Sequence, residues 1–166
     1  MDQPDFAAVR ALIFDVDGVM TDGRVLATES GELLRVLSIR DGYAVKRAVE
    51  VGLRVCIVTG GTSEGVRRRF AKLGVTDYYS GLREKLATVA AYLERHDVDP
   101  AAALYMGDDL PDVAPMRHVG LPCAPADACA EVLAVARYVS ARRGGDACVR
   151  EVVERVLRAR GSWAEA

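Results

Sequence analysis

The 166-residue sequence lacks the features that mark several large functional classes. Its formal net charge is only −2 and it has no basic stripe, which argues against a protein that binds nucleic acid through backbone electrostatics. No apolar run is long enough to span a membrane, and the opening MDQPDFAAVR has neither the basic nor the apolar region of a secretion signal. We therefore expect a cytoplasmic protein that binds neither nucleic acid nor a membrane.

Cysteine and lysine are both scarce, and their few positions are informative. The four cysteines form no CxxC pair, and Cys56 and Cys123 lie inside apolar runs. We therefore expect reduced, mostly buried thiols rather than disulfides or a zinc site. Among the 22 lysine and arginine residues only Lys46, Lys72 and Lys85 are lysines, so a lysine at a chemically sensitive place is informative.

The chain is long enough for one well-packed core, since 51% of its residues are apolar. Apolar runs typical of buried parallel strands alternate with segments of helical periodicity. The predicted strands lie at residues 9–14, 53–58, 77–79, 102–106, 119–124 and 138–140. The predicted helices lie at residues 41–51, 64–73, 83–96, 128–136 and 147–160. This alternation predicts an α/β fold with a doubly wound, Rossmann-like parallel sheet, in one domain over residues 1–166.

The first strand runs directly into two closely spaced carboxylates, Asp15 and Asp17. Open α/β folds bind ligands at the carboxyl ends of their strands, and Gly18 permits a turn that aims both acids at one pocket. Two close carboxylates repel each other unless a cation such as Mg²⁺ or a proton separates them. These residues alone leave two interpretations open: a carboxylate pair that works on a phosphate, or a polar turn that caps the strand.

Residues 23–39 interrupt the alternation of strands and helices. Alternating segments at residues 24–28 and 33–39 flank the sequence ESGE, in which Gly31 suits a turn. The pattern predicts an inserted β-hairpin directly after the acidic turn, where it would lie over the pocket. The alternative is a simple surface ribbon, although an isolated hairpin is marginally stable and is expected to pack on something.

Polar residues also follow two other predicted strands. Thr59 and Gly60 come directly after the second strand, and the sequence GDDLPD follows the fourth. Taken alone, Thr59 fits a turn hydroxyl, and Lys85 fits a solvated helix charge. Asp109 and Pro111 fit the start of a helix. The order of these features along the chain is what favours a shared site.

The sequences DVDG and GDDLPD, together with Thr59-Gly60 and Lys85, resemble the four motifs of the haloacid dehalogenase superfamily of phosphohydrolases. The resemblance implies that Asp15 attacks phosphorus to form an aspartyl-phosphate. It implies that Asp17 protonates the leaving oxygen and then activates water. Thr59 and the backbone at Gly60 would bind the phosphate, and Lys85 would supply positive charge against the phosphate and the carboxylates.

The same resemblance implies Mg²⁺ as the cofactor. The metal would be held by Asp15, the backbone carbonyl of Asp17, and Asp108, which leaves positions for a phosphate oxygen and waters. Asp109 and Asp112 would act from a second layer, on the ligands or on metal-bound water.

Six longer segments narrow the resemblance to the small, cap-less 3-deoxy-D-manno-octulosonate 8-phosphate phosphatase group. They read DVDGVMTDGR, SIRDGYAVK, TGGTSEGVRRRFAKLGV, GLREKL, YMGDDLPD and RRGGDACVREVVE. The group implies a phosphorylated 2-keto-3-deoxy sugar acid as substrate. It also implies a homotetramer built by the hairpin at residues 23–39. Neighbouring subunits would cover the site, partly with the glycine-bearing segment at residues 142–146, which opens the C-terminal loop and helix at residues 142–160. The implied substrate contacts are Arg40, Asp41, Gly42, Lys46, Gly60 and Arg69.

One position departs from the group. These phosphatases usually have an arginine after TG that helps to bind substrate, and this chain has Gly61. A sister group that acts on 2-keto-3-deoxynononate 9-phosphate varies at the same position and has a similar VRRR stretch. The nine-carbon compound, or a broader range of sugar phosphates, is therefore an alternative to the eight-carbon substrate.

The residues also bear on two non-enzyme hypotheses. A tetrameric scaffold that has lost turnover predicts the loss of Asp17 or Lys85, and neither is lost. A receiver-type signalling domain combines acids, threonine and lysine in an α/β fold, but needs neither the second acid of DVDG nor the hairpin.

Overall fold

The computed structural model describes residues 4–163, which form eight strands and six α-helices. The strands are β1 (Ala11–Phe14), β2 (Leu26–Ala27), β3 (Leu33–Leu34), β4 (Arg54–Val58), β5 (Asp77–Tyr79), β6 (Ala103–Met106), β7 (Leu121–Ala124) and β8 (Tyr138–Val139). The helices are α1 (Ile39–Glu50), α2 (Glu64–Lys72), α3 (Leu86–Arg95), α4 (Val113–His118), α5 (Ala130–Val135) and α6 (Cys148–Ala159). Within this range no helix has the length and apolar character needed to cross a membrane.

Six of the strands form one parallel sheet in the order β5-β4-β1-β6-β7-β8. β1 lies at its centre, where Ala11 is in register with Arg54 of β4 on one side and with Ala103 of β6 on the other. The chain builds the sheet outward from β1 to β5, then returns to the centre and continues from β6 to β8. The predicted doubly wound sheet is confirmed, and its switch point lies beside β1.

Alternate residues of β1 enter two different layers of the core. Leu12 and Phe14 pack with α1, α2 and α6 on one face of the sheet, and Ala11 and Ile13 pack with α3, α4 and α5 on the other. All four side chains are fully buried. Burying a large apolar side chain contributes about 1.5–3 kcal/mol, so β1 is a rigid base for the turn that follows it.

The predicted alternation of elements is confirmed, with differences at the ends. The first helix begins at Ile39 rather than at residue 41, because the Ser38 hydroxyl accepts the Asp41 amide at 3.3 Å and makes Ser38 the N-cap. α3 begins at Leu86 rather than at residue 83. The sequence did not predict α4, because six residues are too few to show helical periodicity.

The predicted hairpin is present but shorter than its sequence pattern. Only Leu26 with Leu34 and Ala27 with Leu33 are paired, and all four residues are exposed. Alternation without a buried face gives no driving force for longer pairing, so residues 35–38 lead directly to α1.

The glycine-bearing loop before α6 packs on the turn that follows β1. The Gly145 amide donates to the Val19 carbonyl at 3.0 Å, and the Gly144 amide donates to Asp127 Oδ1 at 2.9 Å. The loop therefore braces the segment that carries the first acidic motif.

Asp41 is a buried carboxylate that joins α1 to α6. Its side chain is 1% exposed, and its Oδ1 atom accepts the backbone N–H of Arg150 at 2.6 Å, while Oδ2 has no hydrogen-bond partner. Burial raises the pKa of Asp41 to about 6, and the bond from Arg150 opposes the shift. This residue therefore links the two helices through one hydrogen bond, at the cost of a buried carboxylate.

Replacing Asp41 with asparagine should change how stability depends on pH. Because folding raises the pKa of Asp41 from 3.8 to about 6, the folded state holds a proton that the unfolded state has lost, and this contribution to the free energy of unfolding falls as the pH rises from 4 to 6. Asparagine keeps an oxygen for the Arg150 amide and does not titrate. Between pH 4 and pH 7, the free energy of unfolding of the variant should rise by about 2–3 kcal/mol relative to that of the wild type. Urea unfolding at several pH values measures this difference. Asp97→Asn, at an exposed site, is the control, and a pH-independent difference for Asp41→Asn would contradict the assignment.

Candidate active site

The candidate active site lies where three central strands end. Asp15 follows β1, Thr59 follows β4, and Asp108 lies two residues after the end of β6. Parallel strands present their carboxyl ends at one edge of the sheet, so motifs that are far apart in sequence meet there. They surround a cavity of about 280 Å³. The residues that line it are Asp15, Asp17, Gly18, Gly23, Thr59, Gly60, Gly61, Leu82, Lys85, Asp108, Asp109, Pro111 and Asp112.

A tight turn carries Asp15 and Asp17 out of β1. The Asp15 amide donates to the Met106 carbonyl at 3.0 Å, which continues the pairing with β6. Gly18 adopts a φ of +84°, and a Cβ there would lie 2.0 Å from Asp108 Oδ2. Only glycine therefore lets the first acidic motif approach Asp108.

Lys85 is a buried cation between two carboxylates. Its Nζ atom lies 2.9 Å from Asp15 Oδ2 and 2.7 Å from Asp112 Oδ1, and the residue is 4% exposed. Burial lowers the pKa of Lys85, but the negative charges of Asp15 and Asp112 outweigh this effect and raise the pKa above its ordinary value. Lys85 is therefore charged and placed inside the site rather than on a solvated helix surface.

Asp112 is fully buried and its two oxygens are saturated by hydrogen bonds. Oδ1 accepts from Lys85 and from the Tyr105 hydroxyl at 2.6 Å, and Oδ2 accepts the backbone amides of Asp108 at 3.0 Å and Asp109 at 3.3 Å. A carboxylate held in this way orients its neighbours and has little capacity left for a metal. This geometry supports the predicted second-layer role of Asp112.

Asp15 and Asp108 have buried oxygens that lack a partner. Oδ1 of each carboxylate has no hydrogen-bond partner, and oxygens of both lie with one of Asp112 inside a 4.8 Å cluster. Burial raises the pKa of Asp15 to about 7, helped by Asp112 and opposed by Lys85. Burial also raises the pKa of Asp108 to about 7, helped by Asp15. Two unsatisfied oxygens in an all-carboxylate set fit a hard divalent cation such as Mg²⁺.

Asp109 is exposed and serves as a helix cap. Its Oδ1 atom accepts the Leu110 amide at 2.8 Å and it forms a capping box with Asp112 at the start of the 3₁₀ helix Leu110–Asp112. The structure therefore shows Asp109 as the N-cap of a 3₁₀ helix. Asp109 also lines the cavity, where it could contact metal-bound water.

Thr59 and Gly60 form the wall of the cavity opposite the acidic loop. Thr59 is buried, and its Oγ1 atom accepts the Gly61 amide at 3.2 Å. The hydroxyl proton of Thr59 is thus left to donate to an anion in the cavity. Gly60 is exposed at the rim, where its backbone faces the same space.

Arg35 is a site residue that the sequence interpretation missed. It lies just after β3, and its guanidinium donates two hydrogen bonds to Asp17, from Nε to Oδ1 at 2.6 Å and from Nη2 to Oδ2 at 2.9 Å. The hairpin thus reaches the pocket through one side chain. No periodicity marks this arginine in the sequence, so only the fold reveals the contact. Tyr105 was also missed, although a tyrosine within an apolar strand signals a buried hydroxyl that needs a partner.

The structure does not bring the five other predicted substrate contacts into this cavity. Arg40 is exposed and lines a separate groove of about 590 Å³ beside α6, and Asp41 is buried between helices. The Arg69 guanidinium lies against Gly42, where a Cβ would be 2.6 Å from its Nη2 atom. Lys46 is exposed and pairs with Glu50 at 3.7 Å. Their assignment to substrate stays a prediction.

Comparisons with known proteins identify the family. A curated 3-deoxy-D-manno-octulosonate 8-phosphate phosphatase of Escherichia coli K12 is 40% identical over 158 residues, which cover 95% of this chain and 84% of that protein. The chain belongs to the 3-deoxy-D-manno-octulosonate 8-phosphate phosphatase family. The solved structure of this phosphatase from Yersinia pestis has a TM-score of 0.92 and 37% identity, covering 95% of this chain and 85% of that one. No protein-family model matches the chain.

A second solved member of the phosphatase family carries ligands. The Moraxella catarrhalis enzyme was crystallised in complex with a magnesium ion, a phosphate ion and a KDO molecule, and it has a TM-score of 0.91 and 28% identity to this chain. The match covers 95% of this chain and 90% of that one. The family resemblance seen in the sequence motifs is therefore confirmed.

Magnesium should stabilise the folded protein through the two unsatisfied carboxylates. A cation that binds only the folded state raises the unfolding temperature, and Asp108→Asn removes one of the negative charges that would hold it. We expect Mg²⁺ at about 5 mM to raise the unfolding temperature of the wild type by several degrees. The Asp108→Asn variant should lose most of that shift. Glu94→Gln, an exposed carboxylate on α3, is the control and should keep the full shift. An equal shift in all three proteins would place the cation elsewhere.

Proposed function

We propose that this protein is a Mg²⁺-dependent phosphomonoesterase that hydrolyses 3-deoxy-D-manno-octulosonate 8-phosphate, through an aspartyl-phosphate on Asp15. One observation carries the proposal: the two carboxylates of DVDG, Thr59 and the buried Lys85 line one cavity, in a chain 40% identical to enzymes of that name. Such an enzyme would serve the synthesis of a surface-polysaccharide precursor.

The first half of the reaction transfers the phosphoryl group to the protein. A carboxylate oxygen of Asp15 forms a bond to phosphorus while the bond between phosphorus and the sugar oxygen breaks, and Asp17 gives its proton to the departing oxygen. Lys85 places its charge 2.9 Å from Asp15, where it holds the nucleophile in its ionised form. The Thr59 hydroxyl donates to a phosphate oxygen.

The second half returns the enzyme to its starting state. Asp17 takes a proton from water, the water oxygen forms a bond to phosphorus, and the bond from phosphorus to Asp15 breaks, so that inorganic phosphate leaves. Asp17 suits both steps because its side chain is 37% exposed, so it can reach both the leaving group and water. The side chain of Asp15, in contrast, is 9% exposed.

Magnesium would be held by Asp15, Asp108 and the main chain of Asp17. When bound there it supplies positive charge that neutralises the phosphate oxygens and the crowded carboxylates. Asp112 and Tyr105 keep Lys85 and the Asp108 loop in place from behind.

Gly61 favours a second candidate function. Because no side chain at position 61 faces the cavity, one anchor for an acidic sugar is absent, and the site has room for 2-keto-3-deoxynononate 9-phosphate or for simpler sugar phosphates. A tetrameric scaffold without turnover is the non-enzyme alternative, and the intact set of carboxylates and Lys85 speaks against it.

Phosphate release from a panel of sugar phosphates tests the proposed function. We expect Mg²⁺-dependent release from 3-deoxy-D-manno-octulosonate 8-phosphate that exceeds release from the nononate 9-phosphate, hexose phosphates and pentose phosphates, and that EDTA abolishes. Asp15→Asn should lower kcat by roughly a thousandfold or more while it still folds, because an amide is a poor nucleophile. Glu84→Gln, an exposed acid beside Lys85 in sequence, is the matched control. An active Asp15→Asn variant would remove the nucleophile assignment, and weak release spread over the panel would favour the broader phosphatase.

We also propose that residues 1–166 form one cytoplasmic phosphatase domain that assembles as a homotetramer through the hairpin at residues 23–39. The hairpin and the start of α1 expose a set of large apolar side chains, which is unusual for a free surface. They are Val25, Leu26, Leu33, Leu34, Val36, Ile39 and Tyr43. A cytoplasmic location agrees with four free cysteines.

The double variant Leu26→Ser with Leu34→Ser tests the tetramer. The two residues face each other across the hairpin, at 65% and 49% exposure, so serine removes apolar contact area and leaves the fold of one chain intact. Light scattering should give four times the chain mass for the wild type and a smaller particle for the variant. Leu133→Ser, an exposed leucine on α5, should leave the mass unchanged. A monomeric wild type would overturn the assembly but not the phosphatase.

A further inference from the structure

The guanidinium of Arg35 holds the second carboxylate of the acidic motif on both oxygens. Its Nε and Nη2 atoms lie 2.6 Å and 2.9 Å from Asp17 Oδ1 and Oδ2, and its Nη1 atom donates to the Leu33 carbonyl at 3.3 Å. The Arg35 side chain is only 7% exposed, while that of Asp17 is 37% exposed. Arg35 therefore lies behind Asp17, and Asp17 faces the cavity.

Gly61, in the loop that follows β4, borders the same contact. A Cβ at position 61 would lie 2.9 Å from Arg35 Nη2 and 3.0 Å from Asp17 Oδ2. A Cβ alone would oblige the ends of these two side chains to shift by a few tenths of an ångström. A side chain longer than that of alanine would compete with the Arg35–Asp17 pair for the same space, and glycine leaves that space to the guanidinium.

We propose that Arg35 is a positioning residue for Asp17 and that Gly61 is the residue that makes this arrangement possible. The inference rests on the proposed function, in which Asp17 moves the proton. A bidentate arginine uses one lone pair on each carboxylate oxygen and fixes the plane of the carboxylate, while the remaining lone pairs stay available on the cavity side. Proton transfer depends steeply on this orientation, since small misplacements of a reacting group are costly.

The small size of Gly61 therefore has a local reason. The guanidinium of Arg35 comes within 2.9 Å of the place where a Cβ at position 61 would lie, and its charge pairs with Asp17 rather than facing the cavity. Gly61 thus serves the Arg35–Asp17 contact, in addition to leaving this part of the cavity without a side chain.

Steady-state kinetics on 3-deoxy-D-manno-octulosonate 8-phosphate test the positioning role. We expect Arg35→Met to lower kcat by roughly tenfold to a hundredfold, with KM changed by less than about threefold. Arg35→Lys should recover part of kcat, because lysine keeps the charge but binds only one oxygen. Arg54→Met, an exposed arginine at the amino end of β4, is the matched control and should keep wild-type kinetics. A kcat for Arg35→Met within about twofold of wild type overturns the proposal.

Two double-variant cycles separate this role from a merely structural one. If Arg35 acts through Asp17, adding Arg35→Met to Asp17→Asn should lower kcat by less than about twofold. If Gly61 makes room for Arg35, then Gly61→Leu, whose side chain extends into the space of the guanidinium, should lower kcat by a much larger factor in the wild type than in Arg35→Met. Equal factors in both backgrounds overturn the proposal.

Thermal unfolding repeats the Gly61 cycle without any substrate. Gly61→Leu should lower the unfolding temperature by several degrees in the wild type and by much less in Arg35→Met, since the longer side chain no longer meets the guanidinium there. This readout distinguishes two failures. A wild type that releases no phosphate but shows the coupling overturns the proposed function and keeps the Arg35–Gly61 arrangement, whereas an active wild type without coupling overturns the inference alone.

Discussion

One buried cation makes the acidic cluster possible. Lys85 lies at 2.9 Å from Asp15 and 2.7 Å from Asp112, inside a site that otherwise collects negative charge. Removing a carboxylate from water favours its neutral form, and neighbouring carboxylates add to that effect. Lys85 immediately precedes α3, and its two ion pairs connect the end of β1 to the loop after β6. These ion pairs therefore also fix the edge of the sheet. The rest of the site is built around this contact.

The two acids of DVDG are only two residues apart, yet the fold gives them opposite surroundings. Asp15 is buried against Lys85, and burial raises its pKa to about 7, which creates a need for a cation. Asp17 turns toward water and is held by Arg35 from the hairpin. Environments that differ in this way let one short motif supply a nucleophile and an acid/base group.

Much of this was open to prediction because it depends on local patterns. Buried runs such as residues 11–14 and turn glycines such as Gly18 mark the strand ends, and parallel strands bring their ends together. α4 was missed because its six residues carry no periodicity, and the hairpin was predicted too long because alternation alone does not provide a buried face. The sequence predicts Asp41 as a substrate contact, and that stays a prediction; the bond from the Arg150 amide to its carboxylate, which joins α1 to α6, depends on how the two helices pack.

The sequence by itself determined the order of the motifs, the doubly wound sheet and the chemical types that line the cavity, because spacing and apolar periodicity are local properties. Only the tertiary structure decided which basic side chain pairs with which carboxylate. Arg35 meets Asp17 across 18 residues, and Lys85 meets Asp112 across 27. A Cβ at position 61 would lie 2.9 Å from Arg35 and 3.0 Å from Asp17, so Gly61 borders that pair. Such pairings depend on how the hairpin and loops pack on the sheet, and packing brings together side chains that no sequence period connects.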